Sequence, residues 1–249
     1  MIIHSYDDQT PPVIGPGDFY GPRGSGCEVC ILTFSHRILE AARQRFPLRE
    51  TARICAVNGD VPIYTFSYQG RTLALCLCGI GSTLAGTDVI EINWLTGATR
   101  FIMFGSAGSL NKAATAGKYV LPTEAYRDEG LSYHYAPPAD YIPVKTADRM
   151  EGFFRELGLP CVKGRVWTTD AFYRETRGQL AKRQAEGCIA VEMELAGVQA
   201  VCDFHGFELY DFLVTGDVLD APEYDRGELQ SANHDLDKLQ IALELARRL

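Results

Sequence analysis

Short apolar runs alternate with amphipathic stretches along nearly the whole chain, and this alternation limits the fold more than any other feature. "EVCILTF" (28–34), "RFIMF" (100–104), "CIAVEM" (188–193) and "LYDFLVT" (209–215) are too uniformly apolar for half-exposed strands. "KYVLP" and "GRVWTT" are shorter runs of the same kind. Between them lie helical patterns. "HRILEAARQRF" (36–46) carries Ile38, Leu39, Ala42 and Phe46 at helical spacing. "TADRMEGFFRELG" (146–158) repeats the pattern, and "ELAGVQAVCDFHG" (194–206) closes on Gly206 as a C-cap. "VPIYTFSY" and "RTLALCLC", joined by Gln69-Gly70, read as a hairpin. The final segment places Leu236, Leu239, Leu243 and Ala246 on one stripe. Strands alternating with helices predict a three-layer α/β/α domain with a mostly parallel sheet.

The chain has 249 residues, 46% hydrophobic and 22% charged, enough for one large core. No Ser/Gly/Pro-rich linker divides it. We expect a single domain over residues 28–249, preceded by an irregular Pro/Gly-rich arm over residues 1–27. A net charge of -8 disfavours a nucleic-acid partner. No apolar run approaches the roughly 20 residues that span a bilayer. The first residues hold acids and prolines where a signal peptide has a basic segment and an apolar core, so a cytoplasmic location is expected. Most of the eight cysteines sit inside apolar runs, where free Cys behaves as a small hydrophobe in a reduced compartment. Cys27 and Cys30 have C-x-x-C spacing but lead into a strand, so packing is preferred over a metal or redox role.

In such folds the working residues follow the carboxyl ends of strands. Five segments qualify: "SHR" (35–37), "GIGS" (79–82), "GSAGS" (105–109), "VEME" (191–194) and "TGD" (215–217). The two Gly-rich segments read as turns whose N–H groups and serines suit an anion. Neither has dinucleotide-fingerprint or P-loop spacing. Glu192 and Glu194 share a face if extended. Glu194 at a helix start is expected to stay ionised and to grip a vicinal diol; helix-entry charge is the alternative, and it leaves Glu192 unexplained. Asp217 follows an apolar run, where desolvation raises a carboxyl pKa into proton-donor range, with Arg226 as its cationic partner. In "WTTDAFYRET" (167–176), Phe172 or Tyr173 can stack a planar heterocycle or join the core. "AYRDEGLSYHY" (125–135) reads as a functional loop or subunit contact.

Together "FGSAGSL", "RDEGLSYHY", "TTDAFYRET", "VEMELAG" and "TGD" resemble, in order, the nucleoside phosphorylase family of purine nucleoside phosphorylase, uridine phosphorylase and methylthioadenosine nucleosidase. The resemblance implies one α/β domain whose central mixed sheet curls into a partial barrel. It also implies a homo-oligomer, a dimer or hexamer, with shared active sites. By position it gives Glu194 the ribose hydroxyls and Met193 the packing against the sugar; Glu192 and Phe172 the base; Ser106 and the Gly81 turn the phosphate; and Asp217 the role of proton donor to a purine. His4 would reach a neighbour's sugar. No metal or organic cofactor is implied, phosphate being a co-substrate. Two family positions differ: Met103 stands where phosphate users carry an arginine, and "FSHRIL" replaces Gly-Asp-x-x-x-Arg. His36 or Arg37 is therefore expected to supply the cation. Phosphorolysis of a purine nucleoside is the preferred reading. The alternatives are a pyrimidine nucleoside phosphorylase with Arg174 and Arg177 at the base, a hydrolytic nucleosidase, and a non-catalytic nucleoside-binding protein.

Overall fold

The computed structural model describes residues 1–249. Ten strands form one sheet: β1 (Val29–Thr33), β2 (Arg49–Ile54), β3 (Val61–Tyr68), β4 (Arg71–Leu77), β5 (Arg100–Ser109), β6 (Tyr119–Asp128), β7 (Tyr141–Pro143), β8 (Cys161–Thr169), β9 (Cys188–Glu192) and β10 (Glu208–Val218). The α-helices are α1 (Gly17–Tyr20), α2 (His36–Arg45), α3 (Ser82–Thr96), α4 (Lys112–Thr115), α5 (Ser132–Tyr135), α6 (Ala147–Glu156), α7 (Arg177–Ala185), α8 (Leu195–His205), α9 (Leu229–Asn233) and α10 (Asp237–Arg248).

The strand order is β10-β6-β8-β9-β5-β1-β4-β3-β2, and β10 also pairs with β5. That second pairing returns the sheet on itself and makes a partial barrel of β5, β10, β6, β8 and β9. The sheet is mixed: β1 runs parallel to β4 and β5, while the β3–β4 hairpin and the β5–β9 pair are antiparallel. The hairpin turn has Gln69 at φ 48° and Gly70 at φ 82°, the left-handed pair a two-residue loop needs.

Strand alternation divides the core into two faces, as a three-layer fold requires. In β1, Cys30 and Leu32 join Val89 and Ile92 of α3 and Val198 and Val201 of α8. Val29 and Ile31 face Ile38 and Leu39 of α2, Phe154 of α6 and Leu243 of α10. No helix is long and apolar enough to cross a membrane. The arm over residues 1–27 holds only a single 3₁₀ turn (Ile2–His4) and α1; it packs on α3 through Tyr20 to Glu91 and the Trp94 indole to the Gly21 carbonyl.

Three local expectations need correction. "GSAGS" is not a turn and "TGD" does not follow its strand, because β5 and β10 continue through them side by side. Small residues make this possible, since a Cβ on Gly108 would lie 2.5 Å from Leu219 Cδ1 and 3.0 Å from Val191 Cγ1. "AYRDEGLSYHY" is a packed element: buried Arg127 donates to Ser132 Oγ at 2.7 Å and to the Pro137 carbonyl at 2.6 Å, while Glu129 accepts from the Leu131 and Ser132 amides. Its charges are satisfied by backbone groups and hydroxyls, which is why it packs without an apolar period. Leu236 lies outside α10 and is 47% exposed, whereas Leu239, Leu243 and Ala246 are buried.

The β5–β10 pairing contains a bulge: Thr215 faces Ala107, but Asp217 faces Gly108, leaving Gly216 as the extra residue. A Cβ on Gly216 would stand 2.7 Å from the Leu229 Cα of α9. Gly216→Ala should therefore push α9 outward, cost about 1–3 kcal/mol in urea unfolding, and lower turnover by displacing Asp217. Unchanged stability would mean that α9 yields freely.

Candidate active site

A cavity of about 430 Å³ opens where β1, β5, β9 and β10 end, bordered by α9 and the start of α10. Its wall includes Glu192, Met193 and Glu194, Phe172, Ser106 and Asp217. Six residues singled out from separate stretches of sequence thus meet in one space.

The two glutamates have different jobs. Glu192 ends β9 and turns both oxygens inward. One accepts from the Thr168 hydroxyl; the other accepts from the amides of Glu194 at 2.7 Å and Leu195 at 2.8 Å. Glu192 is therefore the carboxylate that caps α8. It borders the cavity while holding three protein donors, one more than Glu194 accepts, and these contacts position its neighbour. Glu194, at the N-cap of α8, accepts from the Gly81 amide at 2.7 Å and from Met193 N at 3.3 Å. Ser82 fixes this turn by donating to the carbonyls of Met193 and Glu194 at 3.1 and 3.2 Å.

Burial, and then the neighbouring Glu192, push the Glu194 carboxyl well above the usual range. This corrects the expectation that a helix start keeps it ionised: Glu192 takes the helix amides, and desolvation outweighs the donors left to Glu194. Glu192, with more donors, is the better placed of the pair to carry the charge. Gly81 is likewise reassigned, since its N–H holds Glu194.

Asp217 is 5% exposed, and burial raises its pKa as expected. Its partner is the Tyr224 hydroxyl, which donates to Oδ2 at 3.0 Å. Arg226 forms no ion pair with Asp217 and does not border the cavity. The chain between β10 and α9 bends back so that Asp225 bridges Val218, carrying Tyr224 over the carboxyl instead. Glu175, unnoticed in the sequence, stands close by; burial and then Asp217 raise it to about 7. Phe172 borders the cavity at 46% exposure, leaving a ring face for a ligand, while Tyr173 is 92% exposed outside it. Arg177 ties the loop by donating to the carbonyls of Leu219, Ala221 and Pro222. Arg174 does not line the cavity.

The cavity wall also carries Thr33, Ser35, Ser106, Asn233, His234 and Lys238. Ser106 hydrogen-bonds Asn233, and Ser35 Oγ lies 2.7 Å from His234 Nδ1. His36 and Arg37, the expected cations, are exposed and do not border the cavity. They begin α2, whose apolar face turns Ile38 and Leu39 inward and leaves the two polar residues outside. His36 touches the site only through the His234 ring, 5.6 Å away. Met103 is buried in the core on the α8 side of the sheet. His4 is exposed in the arm and takes no part in this chain's own cavity.

Lys238, Asn233, His234 and Tyr224 escaped sequence reading because all follow β10, where only polar loop and amphipathic helix were visible. One signal was present. Lys238 lies four residues before Ala242 and seven before Leu245, on the buried stripe of α10.

A family model described as Phosphorylase superfamily matches residues 28–249 of this α/β chain. The chain belongs to the phosphorylase superfamily. It is 25% identical over 186 residues to a DeoD-type purine nucleoside phosphorylase of Exiguobacterium sp., covering 74% of this chain and 78% of the relative. A second DeoD-type purine nucleoside phosphorylase, from Exiguobacterium sibiricum, is 26% identical over 190 residues, covering 75% and 80%. Among solved structures, the futalosine hydrolase of Helicobacter pylori superposes with a TM-score of 0.69 at 16% identity, covering 88% of this chain and 98% of that one. At that identity the likeness concerns the fold.

Proposed function

We propose that the protein cleaves the N-glycosidic bond of a purine nucleoside with phosphate, giving free base and pentose 1-phosphate. The observation that carries this reading is that Glu194 and Asp217 border one cavity, with Phe172 beside them. Breaking the bond leaves positive charge on the sugar and sends the bonding pair to the base. Asp217, whose pKa burial raises, delivers a proton to a ring nitrogen and relieves the charge on the leaving group. Glu194 grips the ribose 2′ and 3′ hydroxyls. Those donors favour its ionised form, which then faces the cationic sugar. A phosphate oxygen on the Ser106 side attacks the anomeric carbon, and the new C–O bond replaces the C–N bond. The DeoD-type relatives and the acid at the base favour a purine. Among lining residues the first-strand loop contributes Thr33, Phe34 and Ser35, and no carboxylate there stands ready to activate water.

The test is release of free base from a panel of purine and pyrimidine nucleosides, with and without phosphate. Phosphate-dependent release from purines, with pentose 1-phosphate as co-product, is expected. Equal release without phosphate would make the protein a hydrolase; binding without turnover would make it a nucleoside-binding protein.

A further inference from the structure

The cavity wall carries two kinds of polar group: the carboxyls of Glu175, Glu192, Glu194 and Asp217, and a hydrogen-bonded set of hydroxyls, an amide and an imidazole (Ser35, Ser106, Asn233, His234) alongside Lys238. Lys238 is the one lysine or arginine that borders the cavity. It is 1% exposed, and no carboxylate lies within ion-pair distance of its ammonium. Nζ donates to the Ala232 carbonyl at 2.5 Å and approaches the Gly105 carbonyl at 3.4 Å. An ammonium has three N–H bonds, so one remains for the cavity. The same position in an otherwise apolar stripe, beside Phe104, would accept methionine without desolvating a charge. An unpaired buried cation at the wall of a cavity is the arrangement an anionic ligand completes.

We propose that Lys238 binds the anionic co-substrate, giving inorganic phosphate the charge-assisted hydrogen bond that an arginine supplies in other arrangements, with Ser106, Ser35 and His234 around it. The assignment rests on the phosphorolytic reading. His234 does not compete for this role. Burial, then the charges of Arg37, His36 and Lys238, push its pKa below the usual imidazole range and disfavour the charged ring. Lys238 is lowered to about 8 by burial, with Asp235 opposing, and keeps its charge there. The titratable groups around it are Asp235 and His234 from the α9–α10 junction, His36 and Arg37 of α2 beyond His234, and Glu194 and Asp217 across the cavity.

Steady-state base release by the full chain, at varied phosphate, tests the assignment. Loss of one charge-assisted bond corresponds to about 10- to 100-fold in affinity. Lys238→Met should raise the phosphate KM by that factor with the nucleoside KM little changed, and Lys238→Arg should restore most of it. In the wild type the phosphate KM should climb as pH passes about 8, where the lysine loses its proton; Lys238→Arg should abolish that climb. A Lys238→Met protein with a lower melting temperature but an unchanged phosphate KM would show a lysine that only ties carbonyls, and would overturn the assignment. Should the wild type release base without phosphate, the phosphorolytic reading fails separately. Calorimetry with inorganic phosphate then decides Lys238: binding that Lys238→Met loses supports it, and absence of binding refutes it.

Discussion

Asp217→Asn lowers kcat for purine nucleosides by about 100-fold or more while the nucleoside Kd stays within about threefold. Asparagine keeps the shape and can still hydrogen-bond, but it has no acidic proton to give. The environment makes the wild-type residue an acid: burial raises its pKa, and only the Tyr224 hydroxyl and local backbone pull the other way. Because the protonated form works, kcat should fall on the alkaline side with a midpoint above the ordinary aspartate range, and Asp217→Asn should remove that limb. Stopped assays of base release against equilibrium binding of the same nucleoside separate the two effects. Turnover unchanged by the substitution removes Asp217 from the chemistry and leaves Glu175, its carboxyl neighbour, as the candidate donor.

The acid half of the site was legible because its residues end buried strands. An apolar run followed by a carboxylate is a pattern that packing alone does not explain, and "CIAVEM" and "LYDFLVT" both led to groups now found on one cavity wall. What the runs could not show is which atoms are left free. Glu192 and Glu194 are two residues apart in sequence and both border the cavity, yet Glu192 holds the amides at the α8 start while Glu194 holds those of Gly81 and Met193. The difference depends on Thr168 of the neighbouring strand β8 and on Gly81 in the turn before α3, both remote in sequence. The donor half was less legible for a similar reason. Small residues in "GSAGS" looked like a turn, whereas they let β5 run on beside β10. His36 and Arg37 followed a strand as expected, but the face of α2 that packs on the sheet is the apolar one. The edge strand β2 was missed altogether because "RETARI" exposes most of its side chains and carries no strand-like period. The β10–β5 pairing that closes the barrel joins residues about a hundred apart, information no local pattern contains.

Glu194→Gln is the second large effect, and its two readouts move in opposite directions. The glutamine can accept one hydrogen bond from the ribose diol but cannot carry charge toward the cationic sugar, so kcat/KM should drop by about 100-fold, the loss of one oriented charged contact in a dry site. Stability should not drop with it. The folded chain holds the Glu194 proton more tightly than the unfolded chain does, since burial and Glu192 raise its pKa. Stability therefore falls as pH rises from the ordinary glutamate range toward that raised value. Glutamine does not titrate, so the variant should melt at or above the wild-type temperature at pH 8, with the difference shrinking toward pH 5. A residue kept merely for helix entry would behave otherwise: the variant would melt lower at every pH with its turnover intact. Glu192→Gln supplies the contrast. Glu192 caps α8 through one oxygen and accepts from the Thr168 hydroxyl with the other, so Glu192→Gln should weaken that cap by about 1 kcal/mol and reach turnover only through the displaced Glu194. Melting curves and kcat/KM for both variants across that pH range tell a carboxylate that meets the sugar from one that holds the helix in place.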